Sequence, residues 1–178
     1  MLKPASTWKT NRLFARPAAV GDAQVLFDHY ASDAAVARYM TWRPHQDVAE
    51  TLAFLRRCEQ VWDDETAFPW TLWLQGSGEF VGLIEVRVRP PAVDMGYALV
   101  RRWWKQGLMS EAADAMIQWA LSHPEIFRVW ATCDVENEAS ARLLERVGMQ
   151  REGTLRRWIH HPNVSDEPRD CYCYAIVK

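Results

Sequence analysis

The sequence predicts a mixed α/β fold in which a hairpin-rich sheet packs against helices. Two strand-like segments joined by a glycine-containing turn occupy residues 70–88. Between Met109 and Ala120, apolar residues recur with the i, i+3, i+4, i+7 spacing of an amphipathic helix. Strand and helix patterns then alternate to the end of the chain. Because no repeat, low-complexity tract or linker divides this order, residues 1–178 are expected to form one domain.

The first part of the chain contains one short strand and two helices. Leu13–Arg16 is predicted to be a strand that ends at a proline. Asp22 is expected to cap a helix extending through Tyr30, because an aspartate accepts hydrogen bonds from the free amides of a first turn. A loop over residues 40–45 precedes a second helix, which the apolar spacing predicts from about Asp47 to Trp62.

The middle of the chain changes to strand patterns. Trp70–Leu74 and Phe80–Val88 are predicted strands, and Gly76-Ser77-Gly78 between them is typical of a hairpin turn. Two prolines end the second strand, and Asp94–Val100 is the third. These segments predict adjacent antiparallel strands.

The second half returns to helical spacing and then alternates. The helix over Met109–Ser122 is stopped by a proline at 124, which cannot continue a helix. Val129–Cys133 is the next strand, and a short helix around Leu143 and Val147 follows it. A glycine at 148 is suited to end that helix in a left-handed conformation. Two closing strands are predicted near residues 150–158 and 171–177.

Composition excludes several classes of protein. Hydrophobic residues make up 49% of the 178 residues and charged residues 25%, with a net charge of −2. There is no basic excess of the kind a nucleic-acid binder shows, and no apolar run approaches the roughly 20 residues that span a bilayer. Four scattered cysteines without zinc-site spacing, and no signal peptide, predict a reduced cytoplasmic protein without a metal. Cys171 and Cys173 share a face of a strand and are expected to be buried thiols.

The most informative segment is the turn between the third strand and the long helix, residues 101–112. A helix N-terminus presents unpaired amides and a partial positive charge, which suits an anion. Gly107 lets the backbone approach a phosphate closely, and Arg101, Arg102 and Lys105 add positive charge. The alternative interpretation is a plain strand-to-helix turn with solvated basic side chains.

A second segment, Asn137–Met149, follows about thirty residues later, and together the two segments resemble the Gcn5-related N-acetyltransferase (GNAT) superfamily. They are most similar to its branch of ribosomal-protein N-terminal acetyltransferases. The run from Arg102 to Gly107 matches both ends of the family motif Arg/Gln-x-x-Gly-x-Gly/Ala. Asn137 and Ser140, with a later glycine and methionine, match the second motif.

The resemblance implies a mostly antiparallel sheet opened by a V-shaped splay, and acetyl-coenzyme A as the cosubstrate. It implies that backbone amides of Leu99 and Val100 polarise the thioester carbonyl. It also implies that Asn137 holds the pantetheine arm and that Ser140 meets the sulfur, although both residues also suit plain helix capping. The residues expected to bind the cofactor are Leu99, Val100, Arg102, Lys105, Gln106, Gly107, Leu108, Met109, Ser110, Asn137 and Ser140.

Two residues depart from the family pattern. Lys105 stands where the first glycine usually lies, so a backbone contact to pyrophosphate is altered or replaced by the ammonium group. Leu144 stands where many members have a tyrosine that protonates the leaving thiolate. That tyrosine mechanism is therefore absent from this chain.

The family motifs identify fewer of the residues that would contact the amine acceptor. Glu85 is a candidate catalytic base that contacts the substrate, because relatives often carry a carboxylate there; a solvated charged face shared with neighbouring arginines is the alternative. His160 and His161 can titrate near neutrality. Trp42 and Arg43 lie in a loop that overhangs the acceptor in relatives and are expected to bind substrate.

The implied reaction is direct transfer of an acetyl group to a primary amine. At pH 7 an α-amine with a pKa near 8 is about one-tenth neutral, whereas a lysine is neutral in about one molecule in 2,500. A site without an obvious strong base therefore favours a protein or peptide N-terminus. The alternatives are a small-molecule amine, such as an amino acid, antibiotic or polyamine, and a non-catalytic acyl-coenzyme A-binding module. Partners are expected to include neither nucleic acid nor membrane, and a homodimer is possible.

Overall fold

The computed structural model describes residues 2–178, and its strands form one eight-stranded sheet in the order β1-β2-β3-β4-β5-β6-β8-β7. All neighbouring strands are antiparallel except β5 and β6, which are parallel. The mixed, mostly antiparallel sheet expected from the sequence is therefore confirmed. The strands are Trp8–Lys9 (β1), Leu13–Pro17 (β2), Phe68–Leu74 (β3), Phe80–Arg89 (β4), Ala92–Leu99 (β5), Arg128–Asp134 (β6), Gln150–Ile159 (β7) and Arg169–Val177 (β8).

Five α-helical segments flank this sheet. The longest two have a predominantly apolar face toward a core, which is where the stability of an amphipathic helix comes from. None of the helices within residues 2–178 combines the length and apolar character needed to cross a membrane. The helices are Ala23–Leu26 (α1), Ala34–Ala37 (α2), Val48–Asp63 (α3), Leu108–Ser122 (α4) and Glu138–Arg146 (α5).

The sheet splits between β5 and β6. The two strands pair only from Ala92 to Asp94, opposite residues 128–130, and then diverge. Helix α4 connects them, as a parallel pair requires a crossover. The end of β5 thus has a strand partner on one side only, β4, and the gap on its other side is the V-shaped splay.

Two hydrophobic cores occupy opposite faces of the sheet. One lies under α4 and contains Ile84, Met116 and Ile117, all nearly inaccessible to solvent. The other lies under α1 and α3 and contains Leu55 and Leu83. Ile84 and Leu83 are neighbours on β4, and successive strand residues point to opposite faces.

The first helical region differs from the expected continuous helix. It begins as a 3₁₀ turn at Val20–Asp22, becomes α1, and then widens into a π-helical turn at Phe27–Ala31. The Asp22 carboxylate does not cap α1. It is buried and accepts hydrogen bonds from the Arg16 guanidinium and from the Ala19 amide, at 2.9 and 3.2 Å. The Asp22 carboxylate is thus committed to Arg16 and Ala19 instead of to the first turn of α1.

The other helices and strands begin and end within a few residues of the predicted positions. Two short elements were not predicted, and the expected burial of one cysteine is corrected. The short strand β1 and the four-residue helix α2 have too few residues to show a periodic pattern. Cys171 is buried as expected, whereas Cys173 is half-buried. The extent of the domain, residues 1–178, stays a prediction.

Candidate functional site

The end of β5 directs a backbone amide into the gap. The Val100 amide donates to the carbonyl of Val81 on β4, at 2.9 Å. In an antiparallel pair the amides point alternately toward and away from the partner, so the Leu99 amide faces away from β4, toward β6. The expectation that both amides polarise a carbonyl is therefore wrong for Val100, whose hydrogen is already used by the sheet. Among the described residues 2–178, no acceptor faces the Leu99 amide, which is the one that the splay leaves free.

Gly82, opposite Leu99, keeps the two strands close at this point. A Cβ at Gly82 would lie 2.4 Å from the Ala98 carbonyl oxygen and 2.9 Å from the Leu99 Cα. Both are backbone atoms that cannot move aside cheaply. A side chain there would displace the segment of β5 that carries the free amide.

The turn between β5 and α4 has the shape of an anion cradle. Lys105 and Gly107 adopt left-handed conformations, with φ of 61° and 75°, and α4 begins immediately afterwards. Within residues 2–178, the amides of the first three helical residues, Leu108, Met109 and Ser110, have no hydrogen-bond acceptor. Lys105 thus departs from the glycine of the family motif in its side chain, yet it keeps a backbone conformation that glycine adopts easily.

The basic residues of the turn are not equally available. Arg101 is 3.3 Å from Asp33, and Arg102 is 3.5 Å from Glu79. Lys105 has no ion-pair partner in the described part of the chain. The Gln106 side chain donates to the Arg102 carbonyl at 2.9 Å and so closes the turn. Of these side chains, the Lys105 ammonium is the one left to contact an anion.

Glu111, in the first turn of α4, ties the cradle to the β1–β2 turn. Its carboxylate accepts from the Thr10 hydroxyl, from the Arg12 amide at 2.8 Å and from the Arg12 guanidinium at 2.6 Å. Burial by itself would raise the pKa of Glu111, but these hydrogen bonds outweigh it and lower the pKa. The Arg12 guanidinium also donates to the Gln106 carbonyl at 2.9 Å. This anchoring was not predicted, because its partners lie about a hundred residues away.

Ser140 and Asn137 begin α5 near the gap. The Asn137 Oδ1 accepts from the Ser140 amide at 3.2 Å, so Asn137 caps the helix, and its Nδ2 has no partner within residues 2–178. The Ser140 hydroxyl lies 2.9 Å from the Tyr97 hydroxyl on β5. Leu144, one turn further along α5, is completely buried in the core.

Tyr97 was not predicted as a site residue. The only sequence signal was its place between Met95 and Leu99 on one face of a strand. Burial raises the pKa of Tyr97, and this effect exceeds the opposite effect of its bond to Ser140. The phenol therefore stays protonated at neutral pH.

Glu85 and Ser140 are not brought together. On β4, Ile84 pairs with Tyr97, so Ile84 shares a face with Tyr97 and Ser140, whereas Glu85 points to the opposite face. The Glu85 carboxylate is ion-paired with Arg87, which also donates to Asp94 at 2.6 Å. The alternative interpretation of Glu85, a charged face, fits this network better than a free base does.

His160 and His161 lie in different environments. His161 is buried with its Nε2 4.0 Å from the Asp134 carboxylate, and burial lowers its pKa despite that neighbour. His160 is exposed. Neither is placed at Ser140.

Trp42 and Arg43 lie beside a groove of about 580 Å³ on the α1–α3 side of the molecule. The Trp42 ring is 5.8 Å from the ring of Tyr30 and is half-buried against the core under α1 and α3, so it does not line the groove. Arg43 lines the groove itself.

The chain is similar to known acetyltransferases over nearly its whole length. The family model for the acetyltransferase (GNAT) domain matches residues 12–150. The uncharacterized N-acetyltransferase YoaA of Bacillus subtilis is 25% identical over 173 residues, which are 96% of each chain. The ribosomal protein uS5-alanine N-acetyltransferase of Escherichia coli is 29% identical over 143 residues, covering 66% of this chain and 74% of that protein.

Solved structures show the same architecture. A GNAT-family acetyltransferase from Bacillus anthracis has a TM-score of 0.82 at 27% identity, covering 96% of this chain and 98% of that one. RimL, the ribosomal L7/L12 alpha-N-protein acetyltransferase in complex with coenzyme A, also has a TM-score of 0.82, at 21% identity, covering 94% and 95%. The predicted resemblance is confirmed, and this chain belongs to the acetyltransferase (GNAT) family.

Proposed function

We propose that this protein transfers an acetyl group from acetyl-coenzyme A directly to the α-amine of a protein or peptide N-terminus. The observation that carries the proposal is the set of amides at the start of α4 that have no acceptor within residues 2–178, together with the Leu99 amide that faces the gap. The uS5-alanine acetyltransferase and RimL, which act on ribosomal proteins, and RimL's complex with coenzyme A support the choice of acceptor and cosubstrate.

The residues of the cradle fit the coenzyme. The amides of Leu108, Met109 and Ser110 supply three convergent donors for a pyrophosphate, and the left-handed backbone at Lys105 and Gly107 turns the chain around it. The Lys105 ammonium adds a positive charge. The free Nδ2 of Asn137 is a donor for the pantetheine arm. When bound, acetyl-coenzyme A supplies an acetyl group activated as a thioester.

The proposal assigns one group of the chain to the thioester carbonyl and one to the sulfur. The Leu99 amide is a fixed donor for a carbonyl oxygen that gains negative charge. The Ser140 hydroxyl is a donor for sulfur. The Tyr97 phenol stays protonated and lies 2.9 Å from the Ser140 hydroxyl; when it donates to the Ser140 oxygen, the serine hydrogen is left for the sulfur. Tyr97 is thus a positioning residue for Ser140.

The acceptor reaches the gap from the opposite face. That face carries Glu85, whose carboxylate is held by Arg87. An amine that needs no strong base suits this arrangement. The difference of about 2.4 pKa units between an α-amine and a lysine corresponds to about 3.3 kcal/mol of deprotonation free energy at neutral pH.

Acetylation of matched peptides tests the proposal. One peptide has a free α-amine and no lysine, and the other has a blocked N-terminus and one lysine. We expect free coenzyme A to be released at least tenfold faster with the first peptide, because its amine is far more often neutral. A preference for the lysine peptide would contradict the proposal, and binding of acetyl-coenzyme A without turnover on any amine would favour the non-catalytic alternative.

A small-molecule amine remains the second candidate acceptor. The same assay with free amino acids and polyamines separates it from a peptide acceptor. Equal rates for an amino acid and for a peptide with the same first residue would favour the small molecule, because the residues beyond the first would then contribute nothing.

A further inference from the structure

The segment from Asp33 to Tyr39 crosses the open mouth of the gap. At one end Asp33 is ion-paired with Arg101, which follows β5, with 3.3 Å between Oδ2 and Nε. At the other end the Tyr39 hydroxyl donates to the carbonyl of Glu136, which follows β6, at 3.3 Å. An acceptor that approaches the gap from outside must therefore pass this segment.

The groove beside the segment has fixed walls. It lies between α2, the Arg43-Pro44 turn and the loop at residues 162–164, and it is open to solvent on one side. The Asn163 Nδ2 donates to the carbonyl oxygens of Ala37 and Trp42, at 2.7 Å each. One side chain thus locks all three walls together, so the groove does not have to form when a ligand binds.

Two arginines make the groove positive. Arg38 and Arg43 both line it and are both exposed. Within residues 2–178 no carboxylate lies within ion-pair distance of either guanidinium. Arg38 instead rests over the Tyr39 ring, 5.1 Å from its centre, which limits the positions of its charged end.

The acidic side chains nearby are already engaged. Asp33 binds Arg101 and the Ala35 amide. Asp47 caps α3 through the Glu50 amide, and Glu136 is 2.9 Å from Arg169. The positive charge of the two groove arginines is therefore not compensated by the protein.

We propose that Arg38 and Arg43 select an acceptor whose α-amine is followed closely by carboxylates, that is, a peptide with an acidic N-terminal segment. The inference rests on the proposed function and deepens it by naming the acceptor class. Guanidinium groups bind carboxylates through paired hydrogen bonds, and an open groove at the mouth of the gap accommodates a chain that continues beyond the reacting amine.

The test compares three peptides with the same first residue and a free α-amine, carrying Asp-Asp, Asn-Asn or Lys-Lys at positions two and three. We expect kcat/KM for the acidic peptide to exceed that for the neutral one by about tenfold at low salt, and the ratio to fall as salt is added. The double variant Arg38→Gln/Arg43→Gln should reduce the ratio to about one. Arg43→Glu should favour the Lys-Lys peptide.

Arg56→Gln is the matched control, because Arg56 is an exposed arginine on α3, outside the groove, also without a carboxylate partner in the part of the chain described. It should leave the ratio unchanged. Equal kcat/KM for the acidic and neutral peptides in the natural protein, or a loss of preference in Arg56→Gln as large as in the double variant, would overturn the inference. Free aspartate or phosphoserine acetylated as efficiently as the acidic peptide would overturn the assignment to a peptide.

Equilibrium binding separates this inference from the proposed function. Fluorescently labelled peptides of the same three sequences are titrated with the protein in the presence of coenzyme A, a measurement that needs no turnover. Tighter binding of the acidic peptide, abolished in the double variant, supports the groove assignment even if no acetyl transfer is found. Normal acetyl transfer with no charge preference in binding contradicts the groove assignment and leaves the proposed function intact.

Discussion

The Tyr97 and Ser140 hydroxyl groups connect β5 to α5, with 2.9 Å between their oxygens. The family tyrosine that supplies a proton to the thiolate is replaced here by Leu144, which is buried and has no polar group. A serine hydroxyl oriented by a protonated phenol is the polar group that this chain offers in its place. At the scale of the residue, the proposed chemistry therefore depends on one hydrogen bond.

Substitution of Ser140 by alanine is expected to lower kcat by about 10- to 100-fold, the worth of one hydrogen bond to a charged atom. Tyr97→Phe should have a smaller effect, about fivefold, because the serine remains and only its orientation is lost. Steady-state kinetics of both variants and of the double variant check this.

The double variant distinguishes positioning from an independent role. If Tyr97 acts through Ser140, adding Tyr97→Phe to Ser140→Ala should change kcat no further. Multiplication of the two effects in the double variant would contradict the positioning role. Direct binding of acetyl-coenzyme A should be nearly the same in all three, which excludes misfolding as the cause.

Gly107→Ala tests the cradle. The left-handed conformation at φ 75° costs an alanine about 1–2 kcal/mol, although a Cβ there would meet only the Arg12 guanidinium at 3.6 Å. We expect a lower melting temperature and weaker binding of acetyl-coenzyme A, measured by calorimetry. Gly21→Ala is the control, since Gly21 has no atom within 4 Å of a Cβ and no positive φ. Unchanged coenzyme affinity in Gly107→Ala would contradict the assignment of the cradle.

The start of α4 is held by elements far away in sequence. Glu111 receives hydrogen bonds from the β1–β2 turn, and Arg12 of that turn also reaches the Gln106 carbonyl. The carboxylate lies in the first turn of a helix, where the helix dipole also favours a negative charge. At the scale of the element, the anion cradle is thus fixed by the β1–β2 hairpin. In the sheet, β3 and β4 lie between this hairpin and β5, the strand that leads into the cradle.

Glu111→Gln is expected to reduce the free energy of unfolding by about 1–2 kcal/mol at pH 7, a value discounted because Arg12 is half-exposed. The pKa of Glu111 is lowered in the folded protein, so its stabilisation is present above the ordinary value of 4.5 and is lost as the pH falls through the folded pKa. The difference in the free energy of unfolding between the natural protein and Glu111→Gln should therefore become smaller below about pH 4.5.

Urea unfolding at pH 7 and at pH 3 measures this difference. Glu138→Gln serves as the control, because the one ion-pair partner of Glu138 in the described part of the chain is Arg142, on the exposed side of α5. The ionic role of Glu111 would be contradicted if the natural protein and Glu111→Gln differed by the same free energy of unfolding at pH 7 and at pH 3.

At the scale of the whole molecule, the proposed cofactor site and the proposed acceptor site lie on opposite faces of one sheet. The cradle, Ser140 and Tyr97 lie on the α4–α5 face, whereas Glu85 and the groove lie on the α1–α3 face. In the proposed function, the gap between β5 and β6 is the passage between them. The arrangement fits the proposed direct transfer between two ligands that enter from opposite faces.

Acetyl-coenzyme A should stabilise the whole fold, because the cradle exists only in the folded chain. At a concentration of about 100 times Kd, a ligand adds about 2.7 kcal/mol. For a chain of this size that corresponds to a rise in melting temperature of roughly 5–10 °C. Thermal unfolding with and without acetyl-coenzyme A checks this, with adenosine as a control that lacks the phosphates. No rise at any attainable concentration would contradict the cradle and the proposed function together.

Local patterns allowed most of the fold to be predicted. Apolar spacing located α3 and α4, and the glycine-containing turn located β3 and β4, because these signals arise within a few neighbouring residues. The first helical region was less accurate, since burial of Asp22 against Arg16 overrides its capping preference. The cofactor turn and the start of α5 were predicted because their glycine, asparagine and serine lie at fixed spacing.

By itself, therefore, the sequence determined the order of the elements and the family and marked the candidate cofactor turn, because all of these are encoded in short, contiguous patterns. The tertiary structure decided that Val100 is bonded within the sheet, that Tyr97 meets Ser140, and that Glu85 faces the other side. It also decided that Arg38 and Arg43 share a groove. Each of these depends on strand register or on contacts between distant segments, and a shift of register by one residue would reverse the face on which a strand side chain lies.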